Sequence, residues 1–420
     1  MNDLAVVLAS LRARRLSTAI TAGSVAVAVA LLLTMLSLRK SGFEAFQRGS
    51  GTTHLLVSAD SSPLVAVLNG VFYANPPANP ISWEKYNEIR ASFPYEWAIP
   101  TQQGDSFRGF PVCATAPEFF GKFQPVRGEP WKLAQGRFPE KSFEICLGSA
   151  AATGTGLRLG QQVRLTHGAG SDHGHEHAEY PYTVVGILEP TGSAHDRAVF
   201  TDLDSSWILH AHDRREREGV EGVTTVADLT DADRKITGIL LRLPTRPGSD
   251  ASAAIQQQFD ALRRDTAITV AQPAQQIDRL RGIVGNIDGL FIALGVAVLV
   301  SSGISILLAL YNSMAERRRQ IAVLRAIGLS RGRVQGLIVT EACLIGLVGA
   351  IAGVVLSIVG GALAAAALKA RIGLVVQPDI DLRATLIVLA GAVLLAGLAS
   401  VLPAILAYRT PVADNLRPSA

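Results

Sequence analysis

Charge is scarce in this 420-residue chain, and where it is missing decides most of the reading. Only 18% of residues are charged while 49% are hydrophobic. Four stretches carry no charged side chain: Ser17–Leu38, Gly289–Met314, Ala342–Leu368 and Ala384–Tyr408. Each is long enough to cross a bilayer core of roughly 30 Å as a helix. With no ionisable group deep in any of them, the chain lacks the intramembrane charges on which ion channels and proton-coupled carriers depend. Motifs of chemistry are missing too. No GxxxxGK[ST] phosphate loop occurs, and the GTG at Gly154–Gly156 has neither the lysine nor the following helix pattern. There is no GxSxG and no HExxH; His195-Asp196 reads as a solvated loop pair, and His54, His210 and His212 show no useful spacing. The chain is therefore not expected to be an enzyme in its own right. Cys343 lies in an apolar stretch and reads as a small packing residue. Cys113 and Cys146 lie in the polar part, where an oxidising compartment permits a bridge, and the sequence leaves the bridged and free forms open.

What charge there is gathers at the ends of the apolar stretches. The net charge of +4 is small, and arginines beside membrane segments set topology rather than bind nucleic acid. Arg12, Arg14 and Arg15 precede the first stretch. A cleaved leader is the alternative there, but the apolar run is longer than an h-region and its AVAVA lies mid-run. Retained as a helix, it places residues 1–16 in the cytoplasm and 39–280 outside. The Arg-rich segment Met314–Gly336 then falls inside, and so does the C-terminus with Arg409 and Arg417. Arg39 and Lys40 are the local exception. The expected fold is an α-helical membrane protein with four transmembrane helices, at 17–38, 289–314, 337–368 and 384–408. A large α+β extracytoplasmic domain is inserted between helices 1 and 2. The expected location is the bacterial inner (cytoplasmic) membrane, multi-pass.

Between residues 39 and 280 the runs THLLVS, SFRGFPVCA, GQQVRLT, YPYTVVGILEP, RAVFTDL and ITGILLRL read as strands. Ser82–Ala91 and Ser252–Arg264 read as helices, the latter with Ile255, Phe259 and Leu262 on one face. Two lobes are expected, the second over about 111–225. After ITVAQP, a helix is expected to run from AQQIDRLRG into the second membrane segment. The alternative is a hinge near Gly282–Gly285. Gly349 and Gly353 stand in GxxxG spacing, and Ala22, Ala26 and Ala30 repeat every four residues. Such faces let helices approach closely, either within one chain or between two copies.

Within ERRRQIAVLRAIG, Ile321, Leu324 and Ile327 share a helical face, with Arg318, Arg319 and Arg325 pointing away. Gly328 can end that helix and Ser330 can cap the next. The reading is a short amphipathic helix over 316–327, lying either in lipid headgroups or in a cleft of a cytoplasmic partner.

ERRRQIAVLRAIGLSRGRVQGLIVTEA resembles the signature of the FtsX-like permease family of ABC systems, and YRTPVADNLRP resembles its ending. GLRLGQQVRLT and YTVVGILEPTGSAHDRAVFTDL resemble the external domain of the macrolide-exporter (MacB) type. The resemblance implies an FtsX-like permease domain over 281–420 and a MacB-type extracytoplasmic domain over 39–280. It further implies pairing of two permease chains with two cytoplasmic ABC ATPase subunits, which use the ATP. No cofactor is expected to be bound directly by this chain, the metal reading of the His-rich segment below apart. Glu316, Arg317, Arg318, Arg319, Ile321, Leu324 and Arg325 then take the coupling role. A periplasmic adaptor or substrate-binding protein remains open as a further partner, and lipid surrounds the helices. Transmission of the same motion to an external partner such as a cell-wall hydrolase is the alternative to transport.

One feature lies outside the family pattern. HGAGSDHGHEHAE holds His167, His173, His175 and His177 with Asp172, Glu176 and Glu179, donors suited to Zn²⁺, Ni²⁺ or Cu²⁺. Read functionally it makes a metal-dependent sensor; read as composition it is a solvated loop.

Overall fold

The computed structural model describes residues 3–77, 79–167, 179–220, 222–246, 249, 251–326, 328–372 and 381–409. For 4, 40–47, 167, 283–288, 314–321, 323–324, 368–372 and 407–409 the description is of the backbone alone. In chain order the helices are α1 (Asp3–Ala13), α2 (Arg15–Gly49), α3 (Pro63–Gly70), α4 (Trp83–Ser92), α5 (Glu118–Gly121) and α6 (Ser149–Thr155). They continue with α7 (Leu203–Arg217), α8 (Ile255–Leu262), α9 (Pro273–Ala326), α10 (Arg331–Ile372), α11 (Leu382–Ala399) and α12 (Val401–Arg409). The strands are β1 (Leu55–Ser58), β2 (Ile81–Ser82), β3 (Trp97–Phe107), β4 (Phe110–Thr115), β5 (Leu133–Gly136), β6 (Glu144–Leu147) and β7 (Gln162–Val163). After them come β8 (Thr166–His167), β9 (Tyr182–Leu188), β10 (Val199–Asp202), β11 (Lys235–Ile236), β12 (Gly238–Arg242) and β13 (Thr269–Ala271). The chain divides into two units, one of 1–41, 284–366 and 378–420, the other of 42–283 and 367–377.

Among the described residues the first unit holds four helices apolar and long enough to span a membrane, over Arg15–Arg39, Gly289–Ser313, Arg331–Ala367 and Leu382–Leu406. The fourth is interrupted at Ser400, between α11 and α12. Pro403 has no N–H to give the preceding turn, and the Ser400 hydroxyl donates to the Gly397 carbonyl at 2.6 Å. Val29, Leu32, Leu299, Ile306, Ile338, Ala342, Val388 and Ala392 form one buried cluster among the spans. Leu290, Val355, Ile387 and Leu398 stay exposed on the outside, as expected where lipid is the solvent.

Close approach in this bundle depends on glycine. A Cβ at Gly349 would lie 2.7 Å from the Ala22 carbonyl oxygen, and one at Gly353 would lie 2.7 Å from that of Ala26. On the other side, a Cβ at Gly346 would come within 2.6 Å of the Ala396 methyl. Thus α10 sits between α2 and α11, and its GxxxG face is filled from within the chain by the α2 backbone at Ala22 and Ala26 and by the side chains of Val25 and Val29.

The second unit is built on an eleven-stranded sheet of order β13-β1-β12-β3-β4-β10-β6-β9-β5, with β7 on β9 and β8 on β3. Strands from both ends of the insertion (β1, β12, β13) continue directly into strands from its middle. At the β3–β4 hairpin, Arg108 and Gly109 have φ of 49° and 81°, the doubly positive pattern of a two-residue hairpin turn. Cys113 and Cys146 are buried thiols. Both stand opposite Phe200 of β10, one on each side. That places them two strand spacings apart, roughly 10 Å, too far for a bridge.

Candidate functional site

The segment expected to couple lies at the C-terminal end of α9. Residues 316–326 are not a separate short helix, as the periodicity suggested; they are the last turns of a helix that begins at Pro273. No proline or polar break separates them from the apolar span, so the ladder of hydrogen bonds runs on. The side chains of Glu316, Arg317, Arg318, Arg319, Ile321 and Leu324 lie outside the described residues, as does all of Ile327. Ala322 is buried and Arg325 is half-buried. Gly328 then turns the chain with φ of 108°, its N–H donating to the Arg325 carbonyl at 3.1 Å. The Ser330 hydroxyl accepts the Arg333 N–H at 3.3 Å and caps α10.

The N-terminal helix braces this corner, which the sequence did not disclose. The Arg333 guanidinium grips both Asp3 oxygens, with Nε at 3.1 Å and Nη2 at 2.7 Å. That contact holds the Asp3 carboxyl below its usual range. The Ser10 hydroxyl donates to Glu341 at 3.2 Å, and Arg14 Nη2 donates to the Ser313 carbonyl at 3.2 Å. Glu341 is only 5% exposed, beside α1. Partners 299 to 331 residues apart leave no local pattern to find them by.

In the sheet unit, the end of α2 and the start of α9 reach neighbouring strands. β1 follows α2 after a short connection, and β13 directly precedes Pro273; the two strands pair, with Leu56 opposite Ala271 and Val57 opposite Val270. The connection at Gly49–His54 is fastened on several sides. The Thr52 N–H donates to the Gln124 carbonyl at 3.2 Å, and Arg242 Nη1 donates to the Thr52 carbonyl at 2.8 Å. At Gly51, φ is 51° and a Cβ would lie 2.3 Å from the Gln124 carbonyl oxygen, so only glycine fits.

His195 holds the last residue of α2. It is 3% exposed and Asp196 is 1% exposed, so the expectation of a solvated loop pair is wrong. The reason is hydrogen bonding that the sequence hides. His195 Nε2 donates to the Gly49 carbonyl at 3.1 Å, which leaves Nδ1 to accept from the Tyr73 hydroxyl at 2.8 Å. Phe123 and Trp131 close over the ring at 5.4 and 5.6 Å. Burial pushes the imidazole down to about 4, against the upward pull of the Gly49 carbonyl. Asp196 accepts from the Thr191 N–H and hydroxyl, both at 2.8 Å, and from the Gly192 N–H at 2.9 Å. Its carboxyl is nonetheless raised by burial.

Of the histidine-rich segment, His173, His175 and His177 lie outside the described residues, and His167 is described only as backbone in β8. Glu179, at its far end, pairs with His212 of α7 at 2.6 Å. Among the described residues no group of three or more His, Cys, Asp or Glu side chains is placed to hold a metal.

Comparison with known proteins accords with this architecture. Residues 18–276 match the MacB-like periplasmic core domain, and residues 292–412 match the FtsX-like permease C-terminal domain. The macrolide export ATP-binding/permease protein MacB of Nitrobacter winogradskyi is 24% identical over 374 residues, covering 84% of this chain and 51% of that protein. The chain thus spans about half the length of that relative. A solved structure, the extracellular domain of the noncanonic ABC-type transporter YknZ from Gram-positive bacteria, covers 52% of this chain and 98% of its own. Its TM-score of 0.27 at 10% identity carries no argument. The chain belongs to the FtsX-like permease family of ABC transporters, with a MacB-like periplasmic core domain between its first and second membrane-length helices.

Proposed function

We propose that this chain is the permease of an ABC system, moved by ATP turnover in a cytoplasmic ATPase carried on a separate subunit. The ATPase docks on the Arg-rich end of α9 and the Gly328 corner, so that end faces the cytoplasm and the sheet unit faces the periplasm. The orientation agrees with Arg12, Arg14 and Arg15 and with the arginines between 317 and 333. The single observation that carries the reading is the extent of α9, one helix from Pro273, beside β13, to Ala326. A push on 316–326 acts along such a helix on β13. The strand pairing of β13 with β1 shares the load with the segment that holds α2. The periplasmic unit then shifts and expels, extracts or hands over a substrate. Two copies work together, paired through a face other than that of Gly349 and Gly353, which α2 occupies.

The test is co-purification of the chain with its ABC ATPase in lipid nanodiscs. Wild type is expected to form a stable complex with ATP hydrolysis. The pair Leu324→Ala and Arg325→Glu should release the ATPase or lower its rate by about tenfold or more, as expected for losing an anchored contact at an interface. An unchanged complex and rate would contradict the docking site.

A further inference from the structure

β3 loses register with β4 between Gln103 and Ser106, where Gly104 and Asp105 stand opposite Val112 alone. A bulge of this kind leaves its extra residue outside the ladder, and such bulges recur beside binding sites. Two adjoining clefts lie along it, of about 190 and 590 Å³, sharing Pro76, Gln103 and Gly104. A Cβ built on Gly104 would meet nothing within 4 Å, so space is open at the junction.

Arg197 lines the smaller cleft. It ends the turn Ala194–Arg197, whose His195 and Asp196 are pinned as described, so its backbone is well fixed. Its Nε is buried with no hydrogen-bond partner. Burial pulls its pKa down from the usual value. The larger cleft shows the contrast: Arg214 there is held by Asp233 at 2.8 Å and by Glu218 at 2.9 Å. Arg197 is half-buried in the wall of this cleft, and the natural complement of a guanidinium is an oxyanion taken in two parallel hydrogen bonds. Asp105 lines the same small cleft and would repel a dianion, which favours a carboxylate over a phosphate. The larger cleft has an apolar wall at Pro76, Pro77 and Pro80. Gln102 lines it as well, its side-chain oxygen buried with no partner. An apolar wall adjoining a carboxylate anchor suits an extended peptide.

We propose that the paired clefts bind the C-terminal end of a peptide, Arg197 taking its terminal carboxylate and the larger cleft its preceding residues. This site is a property of the periplasmic unit and needs no nucleotide. The test therefore uses the full chain in nanodiscs without ATP, so that its failure leaves the permease reading standing. The probes are an N-acetylated Ala-Ala-Phe-Ala peptide acid, the same peptide as its C-terminal amide, and inorganic phosphate, followed by calorimetry. The acid is expected to bind saturably and the amide about tenfold more weakly or worse, the effect of one charged hydrogen-bonded contact. Arg197→Gln should bring the acid to the level of the amide and leave the amide unchanged. Equal binding of acid and amide by wild type overturns the proposal, as does no saturable binding of the acid. Phosphate binding as tightly as the acid overturns the carboxylate assignment. The acid-to-amide ratio is read on wild type, so the test decides the matter even if Arg197→Gln proves unstable.

Discussion

Glycine and buried polar groups are used in opposite ways in the two units. In the membrane unit, Gly346, Gly349 and Gly353 keep helical geometry and serve by lacking a side chain, so that α2, α10 and α11 meet backbone to backbone. In the sheet unit, Gly51, Gly109 and Gly136 have φ of 51°, 81° and 76° and serve by turning the chain. Lipid tails are as apolar as leucine, so helices in a bilayer gain by packing closely rather than by escaping solvent. The sheet unit faces water, buries apolar side chains on both faces of its strands, and must then satisfy the polar groups trapped with them. His195 and Asp196 are satisfied in this way, each through short hydrogen bonds to backbone or hydroxyl.

The largest effect should come from disturbing the first of these devices. Gly349→Leu places a branched side chain where a Cβ alone already meets Ala22 and Val25, and should cost at least the ~1–3 kcal/mol of an overpacked core. Unfolding in detergent should show it as a clear fall in midpoint. Gly391→Ala, where a Cβ meets nothing within 4 Å, should leave the midpoint unchanged or raise it. Equal behaviour of the two variants would break the distinction between packing glycines and incidental ones.

A second prediction concerns the sheet unit and pH. His195 falls from its ordinary value of 6.5 to about 4 in the fold, so between these values the unfolded chain binds more protons. The stabilisation is complete above pH 6.5 and is lost as pH falls toward 4, by an amount on the order of 3 kcal/mol. His195→Gln, which keeps a donor for the Gly49 carbonyl, should flatten that slope in an unfolding series across this range. A slope unchanged in the variant would assign the pH sensitivity to other groups.

The smallest effect is expected at the N-terminal brace. Asp3 and Arg333 are about half exposed, and such pairs are screened by salt. Asp3→Asn should shift the unfolding midpoint of the membrane unit least of the three, and the shift should disappear at high salt. A large, salt-independent loss would mean that α1 is held by this pair rather than by its packing.

The spans could be read from sequence because uncharged runs of membrane length admit few alternatives, and among the described residues each such run is helical. The Gly328 turn and the Ser330 cap were legible for a similar reason, since both act within a few residues. Long-range partners were not. His195 looked solvated because its context is Ser-Ala-His-Asp-Arg, while Gly49 and Tyr73 lie 146 and 122 residues away. The bridge left open between Cys113 and Cys146 fails only because β10 inserts between β4 and β6, an order that no local pattern encodes. Residues 316–327 were expected as a separate short helix, whereas 316–326 end a helix that starts at Pro273, because periodicity marks a face and not where a helix begins.

The central claim is that force applied at the end of α9 reaches the periplasmic unit. It is tested most directly by a fluorescent probe on Val223→Cys, a position 67% exposed in the sheet unit, with the chain and its ABC ATPase together in nanodiscs. ATP should change the probe signal in the otherwise wild-type chain, and the change should vanish when Leu324→Ala and Arg325→Glu are added. The same ATP-driven change in both proteins, or hydrolysis in the wild-type background with no change in the probe, would contradict the account.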